Sequence, residues 1–314
     1  MAVPTMVPET HGMTGDDARD ELRRVGVKRL GVNAGRRFHA ADGTSYARAV
    51  GLSSVLALLP GLIALAEIAA SVGNGSESLL TQVLRDLAPG PAGELLATGV
   101  RRDSSTGALL WGLGGMVLSG TLAMVHLERG ANRIYGVDEH RRAARRFLTA
   151  AALASTAGLI LLVALGVIVA GQSSGSGMSL WTVLRWPIAV ALVGAPMTAI
   201  FKFAPNRKQP HVSWLLSGTV VAVALWILVT VLLGLVYENL STVGSSFGPI
   251  LGVIALLVWA YLTGVAALYG LSFAAELESE RAGQARPARD GSETTRLEDD
   301  EAPTVPASPR SSSR

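Results

Sequence analysis

Trp214-Leu-Leu-Ser-Gly-Thr-Val-Val-Ala-Val-Ala-Leu-Trp-Ile-Leu-Val-Thr-Val-Leu-Leu-Gly-Leu-Val-Tyr237 runs without a single charged side chain. About 20 such residues in a helix cover the ~30 Å hydrocarbon core of a bilayer. Five further stretches of this kind lie at residues 46–72, 108–125, 147–170, 186–203 and 247–274. Together they predict an all-α, polytopic membrane protein with six transmembrane helices. The gaps between them decide the orientation. Of the 27 Lys and Arg, 23 fall at the entry to the first stretch, in the second and fourth gaps and after the sixth; the other gaps hold four. Cytoplasmic loops retain Lys and Arg, so both termini are expected inside, as an even number of crossings also requires.

Composition agrees with the membrane reading. The chain is 49% hydrophobic and 16% charged, against roughly 25% charged for a soluble domain. Its pI near 9.5 comes from residues that flank apolar stretches. Orientation and lipid-headgroup contact therefore account for the basic balance, and no nucleic-acid partner is expected. Cysteine is absent, which excludes disulfides, thiolate nucleophiles and Cys-ligated metal sites. Before residue 46 the chain has no apolar signal-peptide core.

Residues 1–15 show no periodicity and are expected to be disordered. In residues 16–40, Leu22, Val25, Val27, Leu30, Ala34 and Phe38 recur near helical spacing among basic residues. That pattern predicts an amphipathic helix on the inner leaflet. Residues 16–278 then form one membrane domain, and residues 279–314, rich in Pro, Ser and acidic groups, a disordered cytoplasmic tail. In the first external loop, Leu79, Leu80, Val83, Leu84 and Leu87 suggest a short helix ended by Pro89, and a second begins near Gly93. Such a loop either caps the bundle or rests on the outer leaflet.

Ionisable residues within spans are functional candidates by default. Here Arg48, His126, Glu128 and Lys202 sit at span ends. Glu67, within about two turns of the outer end of the first span, is the candidate for a polar cavity. Prolines interrupt the first span at Pro60 and the fourth at Pro187 and Pro196. An interior proline frees a carbonyl that neighbours or a water-filled cavity must satisfy. Kinked helices could thus border a cavity, or the prolines could only shape their helices. Trp226 and Trp259 lie near mid-span, facing either lipid or such a cavity. Glycines crowd the second span at Gly112, Gly114, Gly115 and Gly120, as close helix packing requires. The five histidines show no metal spacing, and no nucleotide, hydrolase or metalloprotease motif appears. Neither an enzyme nor a cofactor is expected.

Four stretches resemble the YihY/BrkB family of bacterial inner-membrane proteins. They are Arg36-Arg-Phe38 through Leu59-Pro60; Glu128-Arg-Gly-Ala-Asn132-Arg-Ile-Tyr135 with Arg141 to Arg146; Phe203-Ala-Pro205-Asn206-Arg207-Lys208; and Phe247-Gly248 through Trp259-Ala-Tyr261 to Ala275-Glu276-Leu-Glu278. The resemblance covers roughly residues 36–278. Two departures stand out: Leu52-Ser53 replaces an aromatic pair of the first span, and Ser272 stands where the family has Glu. The resemblance implies a role in envelope integrity and a suspected transporter in the bacterial cytoplasmic (inner) membrane. The family's former ribonuclease name finds no carboxylate cluster here to support it. The expected partners are membrane lipids, a lipid-like or amphiphilic envelope substrate, and a possible second copy. A non-transporting scaffold for envelope partners is the alternative. The second cytoplasmic loop, with Asn132, Arg133 and Tyr135, is expected to matter most; Pro205 and Arg207 follow from the fourth gap.

Overall fold

The computed structural model describes residues 6–9, 13–72, 81, 85, 90–98, 106–137, 142–172, 180–240 and 248–283, without the side chains of 69–72, 98, 161–190, 192, 238–240 and 248–249. Among these residues all regular structure is helical. In chain order the helices are α1 (Gly15–Val25), α2 (Val27–Ala40), α3 (Gly43–Val72), α4 (Pro91–Thr98), α5 (Thr106–Tyr135), α6 (Ala143–Gln172), α7 (Leu180–Phe203), α8 (Val212–Leu240) and α9 (Gly248–Arg281).

Four helical segments are long and apolar enough to cross a membrane: Gly43–Ile68, Thr106–Tyr135, Val212–Tyr237 and Ile250–Arg281. A shorter apolar helix, Val193–Phe203, ends α7. The other two stretches read as spans from the sequence, 147–170 and 186–203, lie in α6 and α7, where many side chains fall outside the described residues.

The six long helices form a ring in which each packs on the next and α9 returns to α3. α9 is the central element, touching α1, α2, α3, α4, α5 and α8. Its faces explain this. Near its end, Leu271 to Ser279 are buried on every side, so the helix must be wrapped rather than stacked on one face. Closer to its start, Ile250, Val253, Ile254, Leu257 and Val258 stay exposed and apolar, as a surface against lipid would be.

Close approach at small residues sets the crossings. A Cβ on Gly112 of α5 would lie 2.7 Å from Ala64 N and 2.8 Å from Pro60 O on α3. One on Gly115 would lie 2.9 Å from Pro60 Cβ. The glycines of the second span therefore seat the proline of the first, and α5 lies directly on the Pro60 turn of α3. On the opposite side, Gly218 of α8 and Gly270 of α9 meet backbone to backbone.

The region before the first span is two helices rather than one. Gly26 breaks it, at φ +84°, a conformation that costs little only for glycine. The apolar face of α2 is turned onto the bundle: Leu30, Ala34 and Phe38 are buried in the main core, and the Tyr269 hydroxyl donates to Gly31 O at 2.8 Å. Between α3 and α5, α4 packs on α9 and buries Ala92, Leu96 and Ala97, so it caps one end of the bundle. The helix suggested at residues 79–87 lies largely outside the described residues. α9 continues as helix to Arg281, past the expected boundary at residue 279; residues 284–314 lie outside the described residues.

A buried ion-pair cluster as candidate functional site

The end of α5 builds the site. The last four carbonyls of a helix have no partner within it. Here each finds one. Val137 N donates to Asn132 O and Gly136 N to Arg133 O, with Gly136 at φ +66°, the paired C-terminal cap that such a glycine permits. Ile134 O accepts from Arg37 Nη1 at 3.3 Å, and Tyr135 O from Val7 N at 3.1 Å. This is the physical content of the sequence Asn132-Arg-Ile-Tyr135-Gly-Val. The helix ends at full depth in protein, and its neighbours close it.

Two arginine–glutamate pairs surround this end. Arg37 Nε donates to Glu276 Oε2 at 2.9 Å, with both side chains buried. Arg207 Nη2 donates to Glu278 Oε1 at 2.6 Å, with side chains 2% and 0% exposed. Glu276 and Glu278 are two residues apart on α9, about 200° around the helix. They point to opposite sides and each needs its own cation. Burial without these partners would be prohibitive for either carboxylate. The Arg207 guanidinium also stands 4.5 Å from the Tyr135 ring centroid, within cation–π range.

Asn132 and Tyr135, one turn apart, share the face of α5 that meets this cluster. Asn132 Oδ1 accepts from Asn206 N at 2.7 Å, tying α5 to the turn after α7. Pro205, buried, leads into that turn, and Lys202 Nζ donates to Gln209 O at 3.0 Å and Pro210 O at 2.6 Å across it. Four residues ahead of the helices complete the shell. Arg207 Nη1 donates to Val7 O and Nη2 to Pro8 O, both at 3.1 Å, and Lys208 N donates to Glu9 Oε1 at 3.0 Å. No periodicity marked this strap, because its backbone rather than its side chains makes most of the contacts.

The structure separates the other candidates. Arg133 is half-buried and makes no side-chain hydrogen bond or ion pair among the described residues. Glu67 is 9% exposed and sits at the opposite end of α3, about 36 Å from Gly43 by helical rise. Pro60 packs on α5, and Pro196 is buried in α7. Trp259 Nε1 donates to Thr230 Oγ1 at 3.1 Å, joining α9 to α8, while Trp226 is half-buried on α8. Ser272 turns its hydroxyl back to Leu268 O at 2.9 Å. Arg37, Glu276 and Glu278 were absent from the candidates expected from sequence. Glutamates at 276 and 278, directly after an uncharged helical run from Gly248 to Ala275, were the available signal. Asn132→Ala should lower stability toward unfolding in micelles by about 1–2 kcal/mol, because it removes a buried acceptor. Arg133→Lys should leave it unchanged.

Acidic and basic residues on α1 and α9 extend the cluster outward. Arg281 reaches Asp17 at 3.1 Å and Glu21 at 3.7 Å. Hydrogen bonds from Thr14 and then the Arg281 guanidinium hold the Asp17 carboxylate below its usual range. Its contribution to docking α1 is thus present above the ordinary carboxylate pKa and fades as pH falls through the lowered value. Among the described residues, no group of three or more His, Asp and Glu could hold a metal.

Comparison with known proteins places the chain. The family described as virulence factor BrkB matches residues 34–294, a stretch that includes all four ion-pair residues and leaves out the strap. A ribonuclease-like protein of Bacillus subtilis, YfkH, is 25% identical over 74% of this chain and 90% of its own length. A UPF0761 membrane protein of Rhodospirillum centenum is 28% identical over 87% of the chain and 64% of its own length. One of Aromatoleum aromaticum is 28% identical over 77% and 62%. The chain thus spans less than two thirds of these two membrane proteins. No solved structure matches it. With a family match across most of its length and four helices fit to cross a bilayer, this chain is an integral membrane protein that belongs to the BrkB family.

Proposed function

We propose that the chain crosses the bacterial inner membrane six times, with both termini cytoplasmic, and that it holds or moves a lipid-like or amphiphilic envelope molecule. The carrying observation is where the charges lie. α8 has no charged residue between Val212 and Tyr237, and α9 none from Gly248 to Ala275, while the buried charges of α9 gather at one end in complete pairs. A route for ions or protons would need polar groups at mid-depth. An apolar or amphiphilic cargo needs none.

The ring supports the six-crossing reading. α5, α7 and α9 end at the ion-pair cluster, while Ala47 near the start of α3 and Trp214 and Leu215 at the start of α8 share one buried core with Ile134 and Tyr135. α6 begins there too, with Arg146 4.0 Å from Glu128. The cluster face would be cytoplasmic, because the Lys- and Arg-rich gaps all open on it. On this reading the cluster fixes the inner ends of the helices as one plate, against which the outer halves work. The protein is not an enzyme under this proposal, and a scaffold role is the alternative.

Reconstitution separates the two. Vesicles carrying the protein should accelerate movement of a fluorescent phospholipid or another amphiphile between leaflets, and mass spectrometry of the purified protein should find retained lipid. A scaffold shows neither.

A further inference from the structure

We propose that a groove between α1 and α8 is a binding site for a bilayer phospholipid with a primary-amine headgroup. It rests on the membrane-spanning reading of α8. The groove has a volume of about 690 Å³, inside the roughly 300–1,000 Å³ range of ligand-binding clefts. Its floor is apolar, made of Leu22 of α1, Leu216, Val220 and Val221 of α8, and Phe273 of α9. Asp16, Arg19 and Ser217 stand on its polar side.

Two observations identify the occupant. The first is continuity. Leu216 and Val220 are 47% and 65% exposed, and they head a stripe of exposed Ile227, Val231 and Leu235 along one face of α8. At helical rise the stripe is about 28 Å long, nearly one hydrocarbon thickness. The groove therefore lies where that thickness ends, open sideways to the acyl chains. A chain entering from the bilayer would exchange lipid contacts for the apolar floor and keep its headgroup at the rim.

The second is charge. Asp16 and Arg19 are one turn apart on α1, with Nη1 and Oδ1 3.5 Å apart and both side chains largely exposed. So loose a pair leaves donors of the guanidinium free for a phosphate and oxygens of the carboxylate free for an ammonium. A phosphoethanolamine headgroup presents both charges at that spacing. A choline cannot donate a hydrogen bond to Asp16, and a glycerol headgroup offers no cation.

The cysteine-free chain permits a direct test with single labels. Ser217→Cys carries a bimane at the groove, and Leu232→Cys carries one on the bare face of α8. The full chain is placed in phosphatidylcholine vesicles with equal mole fractions of doxyl-chain phosphatidylethanolamine, phosphatidylcholine or phosphatidylglycerol. At position 217 the ethanolamine lipid should quench about two- to fivefold more than the other two, the range an exposed charged pair supports. At position 232 all three should quench alike, and Asp16→Asn with Arg19→Gln should remove the preference at 217. Equal quenching by all three lipids at both sites would mean annular lipid only and overturn the proposal. So would quenching at 232 with none at 217, or a preference that survives the double substitution. Absence of quenching at both sites would overturn the membrane reading of α8 together with the site.

Discussion

Arg207→Ala should destabilise the folded protein by about 3–5 kcal/mol, the cost of leaving one buried charge without its partner. Glu278 is fully buried, and its carboxylate would lose the short bond from Nη2. The carbonyls of Val7 and Pro8 would lose their donors as well. Arg207→Lys should recover only part of this, since an ammonium cannot reach Glu278 and both carbonyls in one plane. The double variant Arg207→Met with Glu278→Leu should be far closer to the parent than either single change. Removing both charges removes the desolvation penalty along with the attraction. Denaturant titration of the micelle-solubilised protein measures each of these variants, and the two single changes of the double, against the parent. Single losses below about 1 kcal/mol would show that the cluster is hydrated and not buried as described.

Gly270→Leu should cost at least as much as an ordinary overpacked core, about 1–3 kcal/mol, and should separate α8 from α9. A Cβ at this position lies 2.6 Å from Gly218 O and 2.6 Å from Ala222 Cβ, and one at Gly218 lies 2.5 Å from Gly270 O. Backbone atoms cannot rotate aside as a side chain can, so the helices must move. Gly234→Ala on α8 is the matched control, with nothing within 4 Å of its added Cβ. It should be neutral or stabilising, since alanine is the better helix former by up to about 1 kcal/mol. Thermal unfolding of the two variants in the same detergent would show the contrast as a large fall against no fall.

Much of the architecture is legible in the chain because lipid imposes a one-dimensional rule. Apolar length reports a crossing, and the residues 214–237 become a helix with no further information. The glycines at 112 and 115 could be read as packing residues, and they pack on Pro60. What could not be read is which ends meet. Arg37 and Glu276 are separated by most of the sequence, and no local pattern couples them. Arg36 and Arg37 look alike in a basic run, yet only the packing of α9 against α2 and α5 makes Arg37 fully buried. The same limit applies to Asn132 and Arg133. Helical periodicity puts Asn132 and Tyr135 on one face and Arg133 off it, but the sequence does not say which face is covered. The break at Gly26 is a third case. A glycine within an amphipathic repeat reads as a weak point, and only the positive φ shows that the chain turns there.

Single cysteines in the successive gaps test the six-crossing arrangement most directly. Ser104→Cys, Ser174→Cys and Ser245→Cys fall in the three gaps poor in Lys and Arg, and His140→Cys, Lys208→Cys and Gln284→Cys in the three gaps or ends that are rich. A membrane-impermeant maleimide added to intact spheroplasts should label the first three and spare the last three until the membrane is opened. Labelling of Lys208→Cys or Gln284→Cys in intact spheroplasts would contradict a cytoplasmic ion-pair cluster, and protection of Ser174→Cys or Ser245→Cys would contradict six crossings.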